Sequence, residues 1–334
     1  MRLATAMREA AEVAGDVPAA LTWAADVGQW APRPGDGDTR SLWQLLANIA
    51  ATDLGVARVL EPHLDALAIL DQAGLTPNSV GADVASTWGV FAAEGPGVRL
   101  RARNELGEWR LNGVKPWCSL ARDLTHALVT AQTADGTRRM FAVDLRSEGI
   151  VADEGPWFAR GLNWIVSAPV HFENVRARPV GDPGWYFERP GFSWGGMGVA
   201  ACWFGGATGL ARALIRADAH GEPDQLALAQ IGAVDIALHG ARAALASAAA
   251  LVDDPDVVAE EFGILAFRLR GLIAQTAETV LTRVGHDLGP APLVGDEDHA
   301  RRVADLQLYL RQHHAERDDA ALGGALLGRE EPPW

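Results

Sequence analysis

Two short stretches of this sequence concentrate side chains that can do chemistry. Lys115-Pro-Trp-Cys-Ser119 places a large flat ring, a thiol and a hydroxyl at consecutive positions of a turn-rich segment. The face of Trp117 can cover a planar ligand, and Ser119 can supply a small hydrogen-bonding group at its rim. The same residues also suit a Trp in a barrel core with Ser in a turn. His313-His-Ala-Glu-Arg-Asp318 gathers imidazoles and carboxylates that can hold or move protons near neutral pH. It reads equally as a solvated helix face with charge pairs. Neighbouring His313 and His314 diverge by about 100° on a helix, so no metal site is expected.

The elements that must position these residues fall into three textures. Residues 1–85 are Ala/Leu-rich with apolar positions three and four apart, as packed helices require. Residues 86–185 alternate in short segments punctuated by turns such as Asn112-Gly113 and Asp135-Gly136, which predicts a middle antiparallel β-barrel. Residues 186–334 return to long Ala/Leu-rich stretches, Val199–Asp218, 225–252, 257–285 and 300–327, which predict a C-terminal four-helix bundle. Gly196-Met-Gly198-Val-Ala-Ala201 superficially fits a dinucleotide fingerprint, but Pro190-Gly-Phe-Ser-Trp before it reads as a loop rather than a strand.

Composition bounds the partners. The chain has 334 residues and a net charge of −14, which argues against nucleic acid or an anionic membrane surface. Asp235, His239 and Arg242 interrupt the longest apolar stretch, so no membrane-spanning helix is expected. Cys118 and Cys202 are too few for a disulfide framework, and a reduced cytoplasmic setting is the expectation.

The order helices, small β domain, helical bundle, with one local sequence at its centre, resembles the acyl-CoA dehydrogenase family of flavoproteins. Gly107-Glu-Trp-Arg-Leu-Asn-Gly-Val-Lys-Pro-Trp-Cys-Ser-Leu-Ala is similar to the family's hairpin that enters the flavin site. Phe141-Ala-Val-Asp, Val170-His-Phe-Glu-Asn-Val-Arg and Gly205-Gly-Ala-Thr-Gly-Leu-Ala-Arg resemble its next two strands and first bundle helix. The resemblance implies an α+β acyl-CoA dehydrogenase-like fold. It also implies FAD as cofactor, an acyl-CoA or related small molecule as substrate, and a homodimer or tetramer. Trp117, Cys118 and Ser119 would then meet the flavin, with Ala93 and Glu94 on the strand upstream.

Three departures shape the functional expectation. Ala93 stands where the family carries Thr, and the following Gly-Ser-Asp is cut to Gly95-Pro-Gly97. The diphosphate corner is replaced by Arg216-Ala-Asp-Ala-His-Gly-Glu-Pro-Asp, where acidic residues crowd. The base that removes an α proton from an acyl thioester falls at Glu316, His313 or His314, depending on register. The expected activity is FAD-dependent α,β-dehydrogenation of an acyl thioester, with Glu316 as base. The alternatives are a flavin monooxygenase of the same fold using His314, and a non-catalytic subunit paired with a paralogous chain.

Overall fold

The computed structural model describes residues 2–218, 223–329 and 334. Helix starts are set locally by aspartates. Asp16, Asp53, Asp224 and Asp296 accept backbone N–H bonds from the first turns of the helices they precede, which satisfies donors that would otherwise be orphaned. The N-terminal layer is α1 (Arg2–Glu12), α2 (Val17–Gly28), α3 (Thr39–Thr52) and α4 (Leu54–Gln72). α4 is buried along much of its length and carries Pro62 in its interior. On it His63 accepts a hydrogen bond from the Trp88 amide at 3.3 Å, which ties the helices to the sheet, and burial pushes its pKa down to about 4.

The strands are β1 (Trp88–Phe91), β2 (Leu100–Glu105), β3 (Glu108–Ser119), β4 (His126–Gln132), β5 (Arg138–Asp144), β6 (Ile150–Ala152) and β7 (Ser167–Val180). The ring β4-β2-β3-β7-β5, with β5 returning to β4, closes a five-stranded barrel; β1 joins beside β4 and β6 beside β7. The expectation of a purely antiparallel barrel needs correction. β1 pairs with β4 in parallel from Trp88 opposite His126, and β2 meets β4 in parallel at Arg101 and Gln132. The β2–β3 hairpin intervenes and returns the chain to its starting end, so β4 runs in the same direction as β1. Lys115, the one lysine in the sequence, is buried and donates to the Thr130 hydroxyl at 2.8 Å; burial lowers its pKa to about 8.

The C-terminal part comprises α5 (Trp185–Glu188), α6 (Pro190–Asp218), α7 (Gln225–Val252), α8 (Ala259–Leu288), α9 (Ala291–Gly295), α10 (Glu297–Tyr309) and α11 (Glu316–Leu327). The four-helix bundle is corrected to three long helices and a broken fourth. Residues 300–327 split into α10, a 3-10 turn at Leu310–Gln312, and α11. The break comes where His313 is extended and Ala315 takes a positive φ of 50°, a left-handed conformation that ends a helix. The stretch from Pro190 is the first turn of α6, not a loop, since Pro is tolerated where its missing N–H would be unpaired. α6 crosses α3 closely because Gly205 lacks a Cβ; one placed there would collide with the Ala47 carbonyl.

By length and composition α6 and α7 are each apolar enough to cross a membrane, contrary to the expectation from interrupted runs. Their situations differ: 67% of the apolar window of α6 lies inside the molecule, against 28% for α7.

Candidate functional site

A cavity of about 650 Å³ opens between the barrel, α4 and the end of α10. Its barrel wall is the end of β3. A bulge against β7 between Lys115 and Cys118 breaks the ladder, and Trp117 sits there at φ +59°, 62% exposed. A bulky residue in the left-handed region costs about 1–3 kcal/mol, so the surroundings hold this ring in place against its own backbone preference. Alternation along the strand puts Trp117 and Ser119 at the cavity and turns Cys118 the other way. Cys118 is buried with its thiol on the Lys115 carbonyl at 3.2 Å, and burial pushes its pKa up to about 12.

The Ser119 hydroxyl belongs to an ordered relay. Arg58 donates to Ser119 Oγ at 3.0 Å, Ser119 and Ser167 Oγ lie 2.7 Å apart, and Ser167 donates to the Ile165 carbonyl at 3.2 Å. Arg58 and Ser167 together hold the Ser119 hydroxyl at the cavity wall, where it can hydrogen-bond a ligand.

The helical wall comes from α4. Arg58, Glu61 and Asp65, three and four residues apart, share one face with Pro62 and line the cavity. Glu61 is pushed up to about pH 8, first by burial and next by neighbouring Asp65; Asp65 is raised by burial as well. Burial beside Asp65 therefore favours the protonated form of Glu61. Tyr309, at the end of α10, lines the same wall 1% exposed, with its hydroxyl set against the buried Cys202 thiol. The Arg58 guanidinium lies 5.7 Å from the Tyr309 ring centre.

A third wall is held by α10. Asp305 accepts from the Leu162 amide and fixes that residue at φ +47°, while Trp157 Nε1 donates to the Leu162 carbonyl at 3.2 Å. Trp157, Leu162 and Ile165 give the cavity an apolar side.

The broken helix brings His314 to the rim. Its Nδ1 lies 3.3 Å from Asp318, whose other oxygen accepts the His314 backbone N–H at 3.1 Å. The Asp318 contact orients the ring and, in the neutral imidazole with Nδ1 donating, leaves Nε2 as an acceptor. His313 points inward against Trp203, with Nε2 3.7 Å from Asp318, and does not line the cavity. Glu316, the first residue of α11, is exposed and is not in the wall. Ala93 and Glu94 do line it; Glu94 pairs with Arg138 at 3.6 Å.

The structure therefore gathers Trp117, Ser119, Ala93, Glu94 and His314, and leaves out Cys118, His313 and Glu316. Sequence reasoning missed Arg58, Glu61, Asp65 and Tyr309. The available signal was three charges on one face of a helix otherwise rich in Val, Leu and Ala. The corner expected to contact a diphosphate lies partly outside the described residues, at 219–222. No group of His, Cys, Asp and Glu that could hold a metal ion occurs among the described residues.

No family model and no curated protein matches the sequence. Solved structures do. Butyryl-CoA dehydrogenase from Megasphaera elsdenii is similar at a TM-score of 0.81 and 16% identity, covering 97% of this chain and 98% of that one. A nitrososynthase from Micromonospora carbonacea var. africana gives 0.80 and 18%, covering 98% and 94%. Methanesulfinate monooxygenase MsuC from Pseudomonas fluorescens gives 0.77 and 21%, covering 100% and 98%.

Proposed function

Starting from a chain that has the acyl-CoA dehydrogenase fold, we propose that it is a flavin-dependent oxidoreductase with the flavin ring against Trp117 and a small organic substrate beside α4 and His314. The observation that carries this is Trp117 itself. A large ring held 62% exposed on strained backbone at a cavity rim contributes little to folding and suits the covering of a planar ligand. The cavity volume and its apolar side fit such a group. FAD is what the resemblance implies; FMN carries the same ring and fits the same residues.

Bound flavin would supply two-electron redox chemistry. The chain's own groups define the rest. Ser119, held by Arg58 and Ser167, is placed to hydrogen-bond the rim of a planar ring. Glu61, which burial biases toward its protonated form, can give a proton, and His314, oriented by Asp318, presents Nε2 at the rim. Trp157, Leu162 and Ile165 keep water from part of the cavity.

These groups favour oxidation of the substrate by reduced flavin and oxygen, as in a monooxygenase. Dehydrogenation of an acyl thioester needs an ionised carboxylate to take the α proton, and Glu316 lies outside the cavity. Dehydrogenation is the second reading, with Glu61 as base above about pH 8. Exposed Leu226, Leu228 and Ile236 on α7 support a homo-oligomer.

The test is purification followed by titration with FMN and FAD, then stopped-flow reaction of the reduced complex with oxygen. A yellow protein whose reduced form consumes oxygen faster with candidate substrates supports the first reading. Anaerobic bleaching by an acyl-CoA supports the second. Protein that stays colourless and leaves flavin fluorescence unchanged overturns both, and points to the non-catalytic subunit.

A further inference from the structure

We propose that a second pocket, of about 340 Å³, binds the phosphate group of a small anionic ligand. It lies where the joint between α3 and α4 meets α6 and α10. Four guanidinium groups, Arg212, Arg216, Arg301 and Arg302, line it against two carboxylates, Asp53 and Asp298. Formal charge in the pocket is therefore +2, within a chain of −14.

Two of the four are held in place by the fold. Arg301 bonds Asp53 and, at 2.8 Å, Asp298. Arg302 donates to the carbonyls of Ala51 at 2.9 Å and Thr52 at 2.7 Å, which closes the last turn of α3. Each guanidinium has five N–H donors, so both retain donors for a ligand. Arg212 and Arg216, one turn apart on α6, are exposed and form no ion pair with the described residues. Four guanidinium groups outnumber two carboxylates; burial and Arg301 push the Arg302 pKa down, Asp298 and Asp53 oppose them, and Arg216 adds to the lowering. An anion with several oxygens, bridging two fixed and two free guanidinium groups, corrects that imbalance, and the planar fork of Arg matches phosphate geometry.

The pocket is separate from the cavity. Asp53 caps the start of α4, and Glu61 lies eight residues on, about 12 Å along the helix. The proposal does not rest on the flavin reading.

The experiment is calorimetric titration of inorganic phosphate into the flavin-free full-length protein at fixed ionic strength, with chloride as control. Saturable binding is expected, weakened about tenfold or more in R212A/R216A, since two charge-assisted contacts are lost. R101A/R103A removes the same charge from exposed positions on β2 and should leave binding unchanged. No saturable binding to the native protein overturns the proposal. So does binding that R212A/R216A leaves intact, or equal weakening in both double variants. Thermal melts confirm folding, and R212Q/R216Q replaces the Ala variant if that one unfolds. AMP binding at least as tightly as phosphate supports a phosphate ester as ligand; tighter inorganic phosphate supports the free anion.

Discussion

The barrel wall and the helical wall of the cavity hold their groups by opposite means. On β3 a bulge and a positive φ force Trp117 outward, and bonds to Arg58 and Ser167 hold Ser119 in place. Backbone geometry sets that wall. On α4 the backbone is ordinary helix, and the groups are special because of where the helix is buried: Glu61 and Asp65 are shifted by desolvation and by each other. The first wall is shaped to present a surface, the second to hold a proton.

That contrast can be broken by substitution. Trp117→Ala should weaken flavin binding about tenfold to a hundredfold, by loss of one stacked face, with little change in melting temperature. A fluorescence titration measures it; a larger loss from Glu61→Gln would place the flavin on the wrong wall. Asp318→Asn should lower turnover about tenfold and shift its pH profile while the protein stays coloured, because it acts through the orientation of His314. Unchanged turnover and profile would remove the pair from the chemistry.

Glu61→Gln sharpens the electrostatic side. Folded Glu61 keeps its proton up to about pH 8, whereas the unfolded chain releases it near the ordinary 4.5. The folded state thus binds more protons in that window, and stability falls as pH rises through it, by up to about 1.4 kcal/mol per unit. Denaturant melts across pH should show that slope flattened in Glu61→Gln. His63 works in the other direction: its lowered pKa means that stability falls as pH drops from 6.5 towards 4. The smallest effect belongs to Cys118→Ala, which should change flavin affinity less than about twofold, since the thiol faces away from the cavity.

The two walls also differed in how readable they were. The β3 hairpin carries its information locally, in turn residues and in Trp117 and Ser119 themselves, and the structure placed both at the cavity. The bulge that reverses Cys118 and the bonds that hold Ser119 depend on β7 and α4, which are remote in sequence. Glu61 was silent because a carboxylate on a helix ordinarily reads as solvated; only the packing of α4 under the sheet makes it an acid. His314 was legible as a residue type, yet its selection over Glu316 came from the break at Ala315. The textures of the three regions showed the helices and strands, while the parallel β1–β4 pair and the split of the last helix needed the tertiary contacts.

Lys115 lends itself to a different use. As the one lysine, shut inside the barrel at 2% exposure, it is the single side-chain amine that an acylating reagent could modify. The rate at which it is labelled is then a clock for barrel opening, read by mass alone, and independent of whatever the cavity holds.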